Sequence, residues 1–95
     1  MTERQRFSTE EAAAIGTRLG IDWSSSPFDV EQYRAGMNVE LEHGLSDPET
    51  NVTNDDPLTT GKIALAHLRE FADYYTRLER MEAEADDYWR SRGRP

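Results

Sequence analysis

Residues 27–44, "PFDVEQYRAGMNVELEHG", decide how this chain folds. Asp29 is placed to cap a helix, Gln32 follows at the spacing that closes a capping box, and Phe28 with Tyr33 has the spacing of a hydrophobic staple. Val30, Tyr33, Met37 and Leu41 then share one helical face, with Gly44 as the expected terminator. The stretch predicts a helix over 29–43. It is the best delimited element in the chain.

Upstream, "FSTEEAAAIGTRLG" pairs Ser8 with Glu11 as a second capping box and puts Ala12, Ile15 and Leu19 on one stripe. Gly20 supplies a left-handed stop, which predicts a helix over 8–19. Residues 1–6 read as a disordered lead-in. The connector "IDWSSSP" is expected to fold Ile21 and Trp23 back onto the core.

Downstream, residues 45–56, "LSDPETNVTNDD", form a long acidic loop expected to be exposed. Asp56 and Pro57 make a cap and first-turn pair for a third helix over 57–71. Leu58, Gly61, Ala64, Leu65, Leu68, Phe71 and Ala72 form a wide apolar arc there, so this helix is expected to be the central one. A fourth helix over 73–90, capped by Asp73, carries Tyr74, Leu78, Met81, Ala85 and Tyr88 at heptad-like spacing, with Trp89 beside them. Nothing in the sequence forbids the third helix from running on into the fourth. The whole is an all-α bundle of about four helices, a single helical domain over 7–90 with a basic tail at 91–95.

Composition sets the limits on function. The chain has 95 residues, 36% hydrophobic and 32% charged, enough for one small core and little more, so a homodimer burying extra apolar area is a natural extension. There is no cysteine, which removes disulfides, thiolate nucleophiles and every zinc site that needs sulfur. The charged start "MTERQRF" and the absence of long apolar runs predict neither a signal peptide nor a membrane span, hence a cytoplasmic protein. A net charge of −8 argues against direct nucleic-acid binding and suits a basic protein partner.

The charge is uneven. Between Asn38 and Asp56 there are six acidic residues and no Lys or Arg, while Arg90, Arg92 and Arg94 gather at the C-terminus. Asp47, Glu49, Asp55 and Asp56 are the candidate partner-binding residues of the loop, with Leu45, Val52 and Leu58 as apolar anchors or as residues that fold back. Asp47, Glu49, Asn51, Thr53 and Asp55 alternate like calcium ligands, but Val52 stands where the turn needs Gly and Leu58 where the site needs Glu. "TTGK" is not a phosphate loop, because Asp56 replaces its first Gly and Ile63 its Ser or Thr.

One constellation could carry chemistry. Glu40 and His43 on the second helix mirror His67 and Glu70 on the third, each pair at a spacing that shares a helix side. Convergence of the four would suit iron, zinc or manganese. The competing reading makes His67 a core histidine bonded to a carboxylate or hydroxyl, with Glu40 its partner, and needs no cofactor. Glu42 projects elsewhere. Metal-free catalysis has less to rest on, since no Ser lies in a nucleophile elbow and Tyr74 with Tyr75 reads as core or interface.

"GMNVELEHG", "DPETNVTNDDPLTTGKIALAHL" and "EFADYYTRLERMEAEA" together resemble an uncharacterised bacterial and phage family, domain-of-unknown-function family 5661, over about residues 7 to 85. The positions that match its motifs are Glu40, Glu42, His43, His67, Asp73, Tyr74, Tyr75 and Arg77. Many members carry Pro where this chain has Ala72, so the junction between the third and fourth helices is softer here. The resemblance implies no activity. The expectation is a small non-enzymatic interaction or accessory module, with the phage association that the resemblance implies, and with a metal-binding protein and an acidic mimic of nucleic acid as the alternatives.

Overall fold

The computed structural model describes residues 6–93, all helical where regular: α1 (Thr9–Arg18), α2 (Val30–Glu40), a 3-10 turn (Leu41–His43), α3 (Pro57–Glu70) and α4 (Tyr74–Arg90). Most of the lead-in, residues 1–5, and the last two residues of the basic tail lie outside the described residues. No helix among the described residues is long and apolar enough to cross a membrane.

The helix starts follow the local chemistry. At α1 the Ser8 hydroxyl accepts from the Glu11 amide while the Glu11 carboxylate accepts from the Ser8 amide at 2.8 Å, closing the capping box. At α2 the Asp29 carboxylate accepts from the Gln32 amide at 2.9 Å, and Phe28 stacks on Tyr33 with ring centroids 6.4 Å apart. The staple forms, but the box stays half closed, because the Gln32 side chain donates instead to the Thr76 hydroxyl at 3.1 Å. Asp56 caps α3 through the Thr59 amide at 2.9 Å. That bond holds the Asp56 carboxyl below its usual 3.8.

The core lies between α1, α2 and α3, and Tyr33, Met37, Ala12, Ala64 and Leu68 are buried within it. Contrary to the expectation that the third helix is central, α2 shares that place, since it packs on α1, α3 and α4. Tyr33 shows why: its hydroxyl donates to the Gly61 carbonyl of α3 at 2.9 Å, and a Cβ at Gly61 would lie 2.6 Å from that oxygen. Trp23 folds back as expected, donating from Nε1 to the Ala13 carbonyl at 3.1 Å. Asn38, buried on α2, clamps the start of the chain by accepting from the Phe7 amide at 2.8 Å.

Two details of the helix ends differ from the sequence expectation, the early stop of the regular second helix and the cap of the fourth. Gly20 ends α1 with φ +95 and Gly44 ends the helical run after His43, as anticipated, but Gly44 does so at φ −114 rather than in the left-handed region. A Cβ there would collide with the Asp55 carboxylate, which accepts from the Leu45 amide at 2.9 Å. The regular helix stops at Glu40, and the 3-10 turn carries the chain to Gly44. The third and fourth helices are separate: Phe71 is extended, with φ −142 and ψ 130. Asp73 begins α4 without a side-chain cap, because its carboxylate is held by Arg77 Nε at 2.8 Å.

The fourth helix is seventeen residues long, or about 25 Å at 1.5 Å per residue. Only Tyr75 of it is buried. The radius of gyration, 14.3 Å, exceeds the roughly 12 Å of a compact chain of this length, and the long axis measures 45 Å. The distal turns of α4 are what a three-helix core of this size leaves uncovered.

Candidate functional site

The end of α2, the end of α3 and the first turn of α4 meet at one corner. Glu40, the last residue of α2, is buried, with its side chain 4% exposed. Tyr75 donates to its Oε2 at 2.6 Å. The ring of Tyr75 reaches that position by lying on Gly36, one turn before Glu40, where any Cβ would strike it. A tyrosine from α4 thus threads the one gap on α2 that leads to the buried carboxylate.

Both imidazoles face the same carboxylate. His43 Nε2 lies 3.8 Å from Glu40 Oε1, and His67 Nε2 lies 3.8 Å from Glu40 Oε2. The 3-10 turn is the reason for the first, since residues three apart eclipse in that geometry and His43 swings over Glu40. Glu42 also takes part, with its Oε1 3.6 Å from His43 Nε2, which corrects the expectation that it projects elsewhere. Glu70 Oε1 lies 3.2 Å from His67 Nδ1, so the far nitrogen of that ring is engaged by its own helix.

His67 is half-buried rather than a core residue, at 31% side-chain exposure. Its ring stacks on Tyr74 at 4.3 Å and 10°, and Tyr74 meets Tyr75 edge-on at 5.1 Å. Burial, then the bond to Glu40 and its charge, push the Tyr75 hydroxyl far up. Burial also raises Tyr74, with the charges of Glu70 and Glu40 adding to it. Tyr75 therefore stays a protonated donor. Asp73 moves the opposite way, held below its usual 3.8 mainly by the hydrogen bond from Arg77.

Chemically the corner is a latch with an ion-pair capacity. A buried carboxylate without partners is costly, and Tyr75 with either imidazole in its charged form supplies them. Among the described residues no group of three or more His, Asp and Glu side chains is arranged to hold an ion. The two imidazole nitrogens address opposite oxygens of one carboxylate instead of converging on a point, and Glu70 sits behind His67.

The acidic loop is built differently. Asp47 accepts from the Glu49 amide at 3.0 Å, Asp55 from the Leu45 amide and Asp56 from the Thr59 amide, so these carboxylates shape the loop and the start of α3. The loop returns to the 3-10 turn through Val52 and Thr53 amides that donate to the His43 carbonyl. Leu45 and Val52 are exposed and Leu58 is half-buried.

A second surface emerges along α4. Met81 is 57% exposed, Tyr88 52%, and Phe71, just before the helix, 52%. Phe71, Tyr74, Arg77, Leu78 and Met81 line an open groove of about 180 Å³, with the Arg77 guanidinium 4.2 Å above the Phe71 ring. Residues 12–84 match the model of the family described as "Protein of unknown function (DUF5661)". The chain belongs to that family. The DUF5661 segment contains the whole Glu40 corner and the proximal part of the α4 stripe, whereas Tyr88 and Trp89 lie beyond it. No match was found among curated proteins or among solved structures.

Proposed function

We propose that this DUF5661 protein is a non-enzymatic interaction module whose contact face is the apolar stripe of α4. The observation that carries the reading is a helix of seventeen residues with one buried residue and with Met81 and Tyr88 more than half exposed. An apolar stripe left in water marks an interaction site more often than a decoration. The Glu40 corner then has a supporting role: it anchors the first turn of α4 so that the stripe projects at a defined angle. The partner surface is expected to be apolar at its centre, with basic groups on its rim opposite the acidic distal half of α4. On this reading the module works in the cytoplasm of a bacterial or phage-infected cell.

Capture experiments with the intact chain test it. A Met81→Glu, Tyr88→Glu double variant should lose the partners that the wild type retains while melting at the same temperature. Retention of the same partners by the double variant sinks the reading. Contacts anchored by apolar groups should also survive high salt, whereas an acidic mimic of nucleic acid would release its partner, because exposed charges are screened within a Debye length of about 8 Å at physiological ionic strength.

A second reading keeps the corner as a binding site for iron, zinc or manganese. What favours it is the placement of both Nε2 atoms 3.8 Å from the Glu40 oxygens, with Glu70 on His67 Nδ1 as an outer-shell carboxylate would be. Elemental analysis of the wild type beside a His43→Ala, His67→Ala double variant decides it. A wild type that resists loading removes this reading.

A further inference from the structure

The distal stripe of α4 has a property that a generic contact face lacks: it is complementary to itself when run backwards. Take Leu78 and Met81 as successive layers of the helix, with Tyr74 before them and Ala85 and Tyr88 after. Antiparallel pairing of two such helices sets Leu78 against Met81 of the second copy and Tyr74 against Ala85, a large residue meeting a small or flexible one, and carries Tyr88 past the start of the second copy's α4. Arg77 and Glu84 lie two turns apart on the same edge of this stripe. In that register they face each other, so one two-fold axis yields two Arg77–Glu84 pairs between the copies.

From this self-complementarity we infer that the partner of the α4 face is a second copy of this chain, docked antiparallel through α4. The inference rests on the reading of that stripe as a contact face and names its occupant. Charge decides the direction. The first half of α4 carries Arg77 and Arg80 with Glu79, a net +1, whereas the second half carries Glu82, Glu84, Asp86 and Asp87 with Arg90, a net −3. Parallel pairing would set the acidic halves side by side, while antiparallel pairing places each against the arginines. Arg77 is half exposed, at 56%, with Nε on Asp73 and its guanidinium over the Phe71 ring, so its outer nitrogens have donors to offer a facing carboxylate. The groove beside Phe71, Tyr74 and Met81 gives the facing side chains a place to enter.

Sedimentation velocity on the full chain over a range of concentrations, with three variants, tests the inference. The wild type should pass from one chain to two as concentration rises. Arg77→Glu and Glu84→Arg should each weaken association about tenfold, as expected for two symmetry-related charge pairs turned repulsive, and the double swap should restore it to within about threefold. The chain has no cysteine, so Tyr88→Cys reports direction cleanly. In the antiparallel register the two introduced thiols lie about 25 Å apart and form no disulfide-linked dimer. A monomeric wild type, a double swap that stays weakened, or ready cross-linking of Tyr88→Cys each overturns the antiparallel pair. The first result leaves the wider reading intact if the Met81→Glu, Tyr88→Glu variant still loses foreign partners. Retained foreign partners remove both.

Discussion

The two ends of α4 carry the same kind of residue and do opposite things. Tyr75, in the first turn, is 5% exposed, lies on Gly36 and donates to a buried glutamate. Tyr88, in the last turn, is 52% exposed and packs edge-on against Trp89, its neighbour. The difference is what each tyrosine finds opposite it: a helix with a glycine gap and a buried acceptor in one case, and in the other only side chains of its own end of the chain, Trp89 and the Arg92 guanidinium 4.2 Å over its ring. An apolar stripe along a helix records that a surface will be covered; it does not record whether the cover belongs to the same chain.

That contrast can be broken most forcefully in the core. Leu68→Ala, at a site 1% exposed, should cost about 2–5 kcal/mol in chemical denaturation, since a cavity is left behind. Tyr75→Phe comes next, at about 1–3 kcal/mol, because it leaves a buried carboxylate oxygen without its donor. If Tyr75→Phe proves neutral in a denaturant titration, the latch at Glu40 is not holding α4.

A pH titration of stability sharpens the picture from both sides. Asp22, Asp56 and Asp73 all sit below the usual 3.8, drawn down chiefly by hydrogen bonds from Ser24, Thr59 and Arg77. Their stabilisation is therefore complete above 3.8 and lost as pH falls through their folded values. Burial pushes Tyr33 up from 10.0 to about 12, so its contribution is intact below 10.0 and disappears as pH rises toward 12. Thermal melts should show an acid loss below 3.8 and an alkaline loss above 10.0; a Tyr33→Phe variant should reduce the alkaline step, and the rest of it belongs to Tyr75 and Tyr74, whose hydroxyls are also raised. At the small end, Met81→Ser should shift monomer stability by no more than about 0.5 kcal/mol. A larger loss, measured at concentrations where the chain is monomeric, would mean that the distal stripe is core after all.

Much of the fold was legible locally. Ser8 with Glu11, Asp29 with its staple, and Asp56 before Pro57 announce three helix starts through groups that act within one turn, and each forms a cap. What was not legible depends on residues far apart in the chain. The break at Phe71 has no proline or glycine to signal it; it is held by Tyr74 stacking on His67 and Tyr75 docking on α2. Gly44 is the helix stop it looks like, but the reason it must be glycine, clearance for Asp55, lies across the loop. Asn38 reads as an ordinary polar helix residue, and its role as a clamp appears only when Phe7 arrives beside it.

The corner was legible by half. The spacing pairs Glu40 with His43 and His67 with Glu70, and the structure sets the two pairs beside each other. It could not show that both imidazoles would meet the same carboxylate, since that depends on the 3-10 turn after Glu40. Nor could it show Tyr75 as the donor. Gly36, one turn ahead of Glu40, was the available hint, because a small residue beside a buried acceptor leaves room for a ring.

Amide deuterium exchange of the intact chain at low and high concentration tests most directly whether the distal part of α4 is a contact face. At low concentration the amides of residues 78–90 should exchange far faster than those of 64–68 in α3. At high concentration the distal α4 amides should gain protection while those of α3 stay unchanged. Protection of residues 78–90 that equals that of α3 at every concentration would contradict the assignment.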